Sequence, residues 1–111
     1  MDMSDSKKRP LFEKQAQVAQ AIGHPLRLAI IDFLKDGPQC VCDIAEYIGS
    51  ERSNVSRHLS LMVAAGILGH HKKGLQVIYE LKCPCILDFF SCMSGVLKQR
   101  VKDDKEILEV L

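Results

Sequence analysis

The stretch Val41-Cys42-Asp43-Ile44-Ala45-Glu46-Tyr47-Ile48-Gly49, continued by Ser50-Glu51-Arg52-Ser53-Asn54-Val55-Ser56-Arg57-His58-Leu59, decides the fold. Val41, Ile44, Ala45 and Ile48 recur at helical spacing and predict a short helix with one apolar face. Gly49 breaks that helix at a turn. A second helix begins at Ser50 or Glu51 and runs to about Ala65, with Val55, Leu59, Met62 and Val63 as its inner stripe. Its N-terminal face is polar, and Gly66 is placed to cap its end. A short helix, a glycine turn and a longer helix with a polar N-terminal face form the helix-turn-helix arrangement. The second helix of that arrangement enters the major groove of DNA by its N-terminus.

Outward from this unit, the pattern predicts the rest of one domain. Residues 1–10 read as a flexible polar tail ending in Lys7-Lys8-Arg9-Pro10. Residues 11–22 carry Phe12, Val18, Ala19 and Ile22 on one helical stripe. Gly23-His24-Pro25 stops that helix, and Pro25 suits the first turn of the next. The second helix is apolar on nearly all sides through Leu26, Leu28, Ala29, Ile30, Ile31, Phe33 and Leu34, so it should form the buried centre. Asp36-Gly37-Pro38 ends it. Downstream, Ile67 to Lys72, a turn at Lys73-Gly74 and the alternation Leu75, Val77, Tyr79, Leu81 predict a hairpin. Pro84 opens a last helix with Ile86, Leu87, Phe89, Phe90, Met93, Val96 and Leu97. Residues 98–111 read as a charged helical extension of it. The expected fold is mainly α (α+β), a winged helix-turn-helix of order α-α-α-α-β-β-α over residues 11–97.

Composition narrows the function. With 111 residues, 47% apolar and 26% charged, the chain is an ordinary globular domain of modest core. No apolar run is long enough for a membrane span, and Met1-Asp2-Met3-Ser4-Asp5 is no signal peptide, which suggests a cytoplasmic protein. The net charge of +1 hides an asymmetry: residues 51–82 carry a local +3 and residues 11–50 a local −2. A basic segment on a near-neutral chain suits phosphate. Arg52, Ser53, Asn54, Ser56, Arg57 and His58 on the second helix, with Lys72 and Lys73 at the hairpin tip, are therefore the candidate DNA-binding residues. The five cysteines at 40, 42, 83, 85 and 92 are an odd number, which favours metal or redox chemistry over a disulfide framework in a reducing compartment. No CxxC and no Cys/His set of zinc-finger spacing occurs, so neither an oxidoreductase nor a structural zinc protein is expected. An enzyme is not expected, nor an organic cofactor.

Taken in order, His24-Pro25-Leu26-Arg27-Leu28, Cys40-Val41-Cys42-Asp43-Ile44, Val55-Ser56-Arg57-His58-Leu59, Ala65-Gly66-Ile67-Leu68 and the hairpin strand carrying Tyr79 resemble the ArsR/SmtB metalloregulatory repressors. The resemblance covers roughly residues 12–97. It implies a homodimer whose first and last helices form the interface, bound to a palindromic double-stranded operator and released by an inducer. Cys40-Val41-Cys42 resembles the arsenical-sensing motif of the family, which implies arsenite, antimonite or another soft metal ion as inducer and a role in arsenic resistance.

The thiols themselves leave two sensors open. In a regular helix, residues two apart point about 200° from one another, so Cys40 and Cys42 share one ion only where the helix start is distorted. Such distortion would carry the signal to the recognition helix. The family's arsenical sensors often place a further cysteine where this chain has Ala45. Cys83-Pro84-Cys85 with Cys92 is the second candidate; Cys85 and Cys92 share a helix face but lie about 10.5 Å apart along the axis. Either cluster also suits a switch by oxidation or reactive sulfur species without metal. The last-helix zinc site of other members is not expected, because Asp88 is followed by Phe89-Phe90 and no histidine lies beyond His71.

Overall fold

The computed structural model describes residues 7–110. Residues 1–6, most of the expected tail, lie outside them, and residues 8–10 already belong to the first helix. The elements are α1 (Lys8–Ile22), α2 (Pro25–Leu34), β1 (Gln39–Cys40), α3 (Val41–Ile48), α4 (Arg52–Ala64), β2 (Leu68–Lys73), β3 (Gln76–Leu81) and α5 (Leu87–Val110), with a 3-10 turn, Pro84–Ile86, leading into α5.

Local chemistry sets the boundaries. His24 is extended and its Nδ1 accepts the Leu26 backbone N–H at 3.1 Å, capping α2 while Pro25 fills the first turn, where a missing N–H costs nothing. Gly49 ends α3 in the left-handed region at φ 72°, a conformation that side chains with a Cβ avoid, and its N–H bonds to Ala45 and Glu46 carbonyls. This fixes the helix-turn-helix corner.

The core gathers around α2. Ile30 and Ile31 are fully buried, and Ile44 of α3, Val55, Leu59 and Met62 of α4 and Leu68 of β2 close on them. The stripes expected on α3 and α4 are those that turn inward, with Ile48 and Val63 packed at the margin. α1 contributes only Ala21 and Ile22 to the core; Leu11, Phe12, Val18 and Ala19 face outward. α5 buries no residue along its 24 positions and is held at its start by Ile86, Leu87 and Phe90. It runs unbroken to Val110, so residues 98–110 continue the same helix.

Two details differ from the expectation. The sheet has three strands in the order β1-β3-β2, all antiparallel, because Gln39 and Cys40 pair opposite Tyr79 and Ile78. A strand of two residues is too short to leave a period in the sequence. Leu75, expected to start the second hairpin strand, instead stands fully exposed in the turn between Lys73 and Gln76. Gly74, at φ 65°, takes the first central position of that two-residue loop, where positive φ matches the twist of the strands.

Candidate DNA-recognition surface and thiol sites

The N-terminal half of α4 presents Arg52, Ser53 and Arg57 to solvent, with Asn54 and Ser56 half-buried. Asn54 is held at both ends of its amide: its Nδ2 donates to Ser50 Oγ at 2.9 Å, and Arg57 Nη2 donates to its Oδ1 at 3.4 Å. The serine in the turn thus orders Asn54, which in turn leans on Arg57. This gives a short polar row with one forked cation, suited to phosphates and base edges. Lys72 and Lys73 lie exposed at the end of β2, placing two further cations on the wing. His70, beside them, stacks on Tyr79 with ring centroids 5.6 Å apart.

His58 departs from the expected outward face. Its ring turns toward α2, where Nδ1 lies 3.2 Å from Arg27 Nη1 and the His24 ring sits 4.6 Å away. Arginine only donates, so Nδ1 must accept and the proton of a neutral ring sits on Nε2. Burial, then the charges of His24, Arg27 and Arg57, hold the His58 pKa below its usual 6.5. Arg27 Nη2 also donates to the Gln20 carbonyl of α1 at 3.1 Å. His58 is therefore a brace between the recognition helix, α2 and α1. Sequence reasoning missed this role for Arg27; its signal was only the spacing of His24 and Arg27 across the α2 start.

The cysteines divide by environment. Cys40 is buried, and it does not lie in α3 as the i, i+2 reading assumed. It is the last residue of β1 and the N-cap of α3, with φ −76° and ψ 157°, and its Sγ accepts the Asp43 backbone N–H at 3.4 Å. Cys42 is exposed in the first turn of α3. Cys83 and Cys85 are exposed on the connection from β3 to α5, and Cys92 is exposed in the second turn of α5. Among the described residues, no three His, Cys, Asp or Glu side chains are grouped to hold a metal ion. The folded state thus does not gather Cys83, Cys85 and Cys92 into a three-ligand set. No described helix is long and apolar enough to cross a membrane.

These features have counterparts in known proteins. The family "Bacterial regulatory protein, arsR family" matches residues 24–69, from the α2 cap to the start of the wing. The transcriptional repressor SdpR of Bacillus subtilis is 30% identical over 78% of this chain and 96% of its own length. The chain belongs to the arsR family. The HTH-type transcriptional regulator Rv0081 of Mycobacterium tuberculosis is 27% identical over 92% of this chain and 90% of its own. Among solved structures, the homodimeric winged helix-turn-helix domain of Mb0332 from Mycobacterium bovis superposes with a TM-score of 0.75 at 22% identity, covering 89% of this chain and 93% of that one. As an arsR-family member the chain is a DNA-binding transcriptional regulator and no enzyme, and its winged fold is the one expected from the helix-turn-helix stretch.

Proposed function

We propose that this regulator is a homodimeric repressor that leaves its operator when a soft metal ion, trivalent arsenic or antimony, takes up the thiols of Cys40 and Cys42. The observation that carries the reading is the double duty of Cys40. Its sulfur caps the first helix of the helix-turn-helix and its backbone pairs with the wing. Two thiols within three residues are a donor set of the right softness. One is buried as a cap and the other exposed, so the first turn of α3 must open before both sulfurs serve one ion. Opening it removes a helix cap, a loss typically on the order of 1 kcal/mol for an oxygen cap. It also frees α3, the helix against which α4 is set at the Gly49 corner. In the bound state Arg52, Ser53, Asn54, Ser56 and Arg57 would lie in the major groove, with Lys72 and Lys73 on the backbone beside it.

Dimerisation is supported by what the monomer leaves uncovered. Phe12 and Val18 of α1 and Phe89, Val96, Leu97 and Val101 of α5 are all exposed. A self-complementary pairing of these two helices would cover both faces.

The test is operator binding by the reduced protein, titrated with arsenite, cadmium, zinc and hydrogen peroxide. Arsenite is expected to release DNA from the native chain and from the Cys83→Ser/Cys85→Ser variant, and to leave Cys40→Ser/Cys42→Ser bound. Release of that last variant by arsenite overturns the assignment. A native chain released by peroxide alone replaces the metal with an oxidative switch at the same thiols.

A further inference from the structure

Cys83 and Cys85 come together at one cavity. Both line a pocket of about 370 Å³ whose other walls include Val18 of α1, Ala65 and Ile67 after α4, and Phe89 of α5. The volume falls within the usual range for small-molecule sites, and the lining is almost wholly apolar. It holds no carboxylate and no imidazole, so nothing there would complete a shell around a metal ion. An occupant would be chosen by its carbon skeleton and held by sulfur.

We infer that this pocket is a second sensory site, for an apolar α,β-unsaturated carbonyl compound that alkylates Cys83 or Cys85. The reaction is a conjugate addition. The sulfur forms a bond to the β-carbon, the carbon–carbon π bond breaks, and the proton released from the thiol ends on the α-carbon. Atoms and electrons balance without an oxidant or a metal. The apolar part of the molecule then fills the space between Val18, Ala65 and Phe89.

The position couples such an adduct to DNA. Ala65 is the C-cap of the recognition helix, and Gly66 follows it at φ 84°. The Lys82 N–H, one residue before Cys83, donates to the Ile67 carbonyl at 2.9 Å. A bulky group on Cys83 or Cys85 therefore presses on the end of α4 and on the Lys82–Ile67 bond that closes the base of the hairpin. In the proposed dimer, Val18 and Phe89 also lie on the meeting faces, so the occupant would sit beside the subunit contact. This site is independent of the Cys40 and Cys42 assignment.

The experiment uses N-phenylmaleimide and a carboxylate-bearing maleimide on the full reduced chain, read by peptide mass mapping and operator binding. Cys42 and Cys92, exposed outside the pocket, are internal controls. The apolar reagent is expected to label Cys83 or Cys85 at least about ten-fold faster than the controls, a discrimination in the range of apolar pockets. The charged reagent should show no such preference. Ala65→Leu, which fills the pocket, should abolish the preference while leaving labelling by the charged reagent unchanged. The adduct should weaken operator binding by about ten-fold or more, and Cys83→Ser/Cys85→Ser should remove that loss while arsenite still releases DNA. Equal labelling of all four exposed cysteines by N-phenylmaleimide overturns the site. An adduct that leaves operator affinity unchanged overturns its regulatory role. Loss of the arsenite response in Cys40→Ser/Cys42→Ser bears only on the other site.

Discussion

The chain spells Cys-X-Cys twice, and the fold treats the two copies in opposite ways. At residues 40–42 the first sulfur is drawn into the core as a helix cap and strand residue, while the second stays outside. At residues 83–85 both sulfurs stay outside, on the rim of an apolar pocket formed where the wing meets α5. The motif alone sets no chemistry. Where the backbone enters a helix through an extended cap, a thiol becomes structural and reacts only when the structure yields. Where the backbone passes through a proline turn on the surface, two thiols are ready at once.

Reactivity is the sharpest way to break this contrast. Cys40 must wait for local opening, and an opening free energy of a few kcal/mol should slow its reaction with a disulfide reagent by about 100-fold or more relative to Cys42, Cys83 and Cys85. Stopped-flow kinetics with peptide mapping would decide it. Equal rates would show that the first turn of α3 is already open.

Stability comes next in size. Cys40→Ala removes a buried sulfur and a cap, and about 1 kcal/mol should be lost from the unfolding free energy measured by denaturant titration, while Cys83→Ala and Cys85→Ala stay within about 0.5 kcal/mol of the native chain. A larger cost at residues 83 or 85 would mean that the pocket rim is structural after all.

The smallest effect concerns His58, which braces α4 much as Cys40 braces α3. Its folded pKa is depressed below 6.5, so its contribution is fully present above that pH. It is lost as pH falls through the folded value, because burial and then the charges of His24, Arg27 and Arg57 disfavour the protonated ring. Thermal stability should therefore drop slightly on acidification below pH 6.5, solvent screening the charges around this part-exposed ring, and His58→Gln, an uncharged acceptor, should flatten that drop. An unchanged profile in the variant would assign the acid sensitivity elsewhere.

Much of this architecture was legible in the residues. Val41, Ile44 and Ala45, then Val55, Leu59 and Met62, announce their helices because a buried stripe must repeat with the helical period. Gly49 and Gly66 mark positions that need positive φ. What stayed hidden depends on contacts between distant segments. No local pattern places Cys40 in a strand opposite Ile78, turns His58 toward Arg27 instead of solvent, or gathers Val18, Ala65 and Cys85 around one cavity. Leu75 looked like a strand residue because its neighbours alternate, yet a two-residue loop at Gly74 claims it.

The two-residue strand β1 has a mechanical consequence. It stitches the Cys40 peptide to Ile78 of the wing while the Cys40 side chain anchors α3. One residue is thus the fulcrum of two levers, the recognition helix on one arm and the cationic wing tip on the other. A disturbance there would tilt both together, and the groove contacts and the phosphate contacts would fail as a unit. The salt dependence of operator affinity would then fall in a single step along with the affinity itself, as expected when a whole set of counterions recondenses at once.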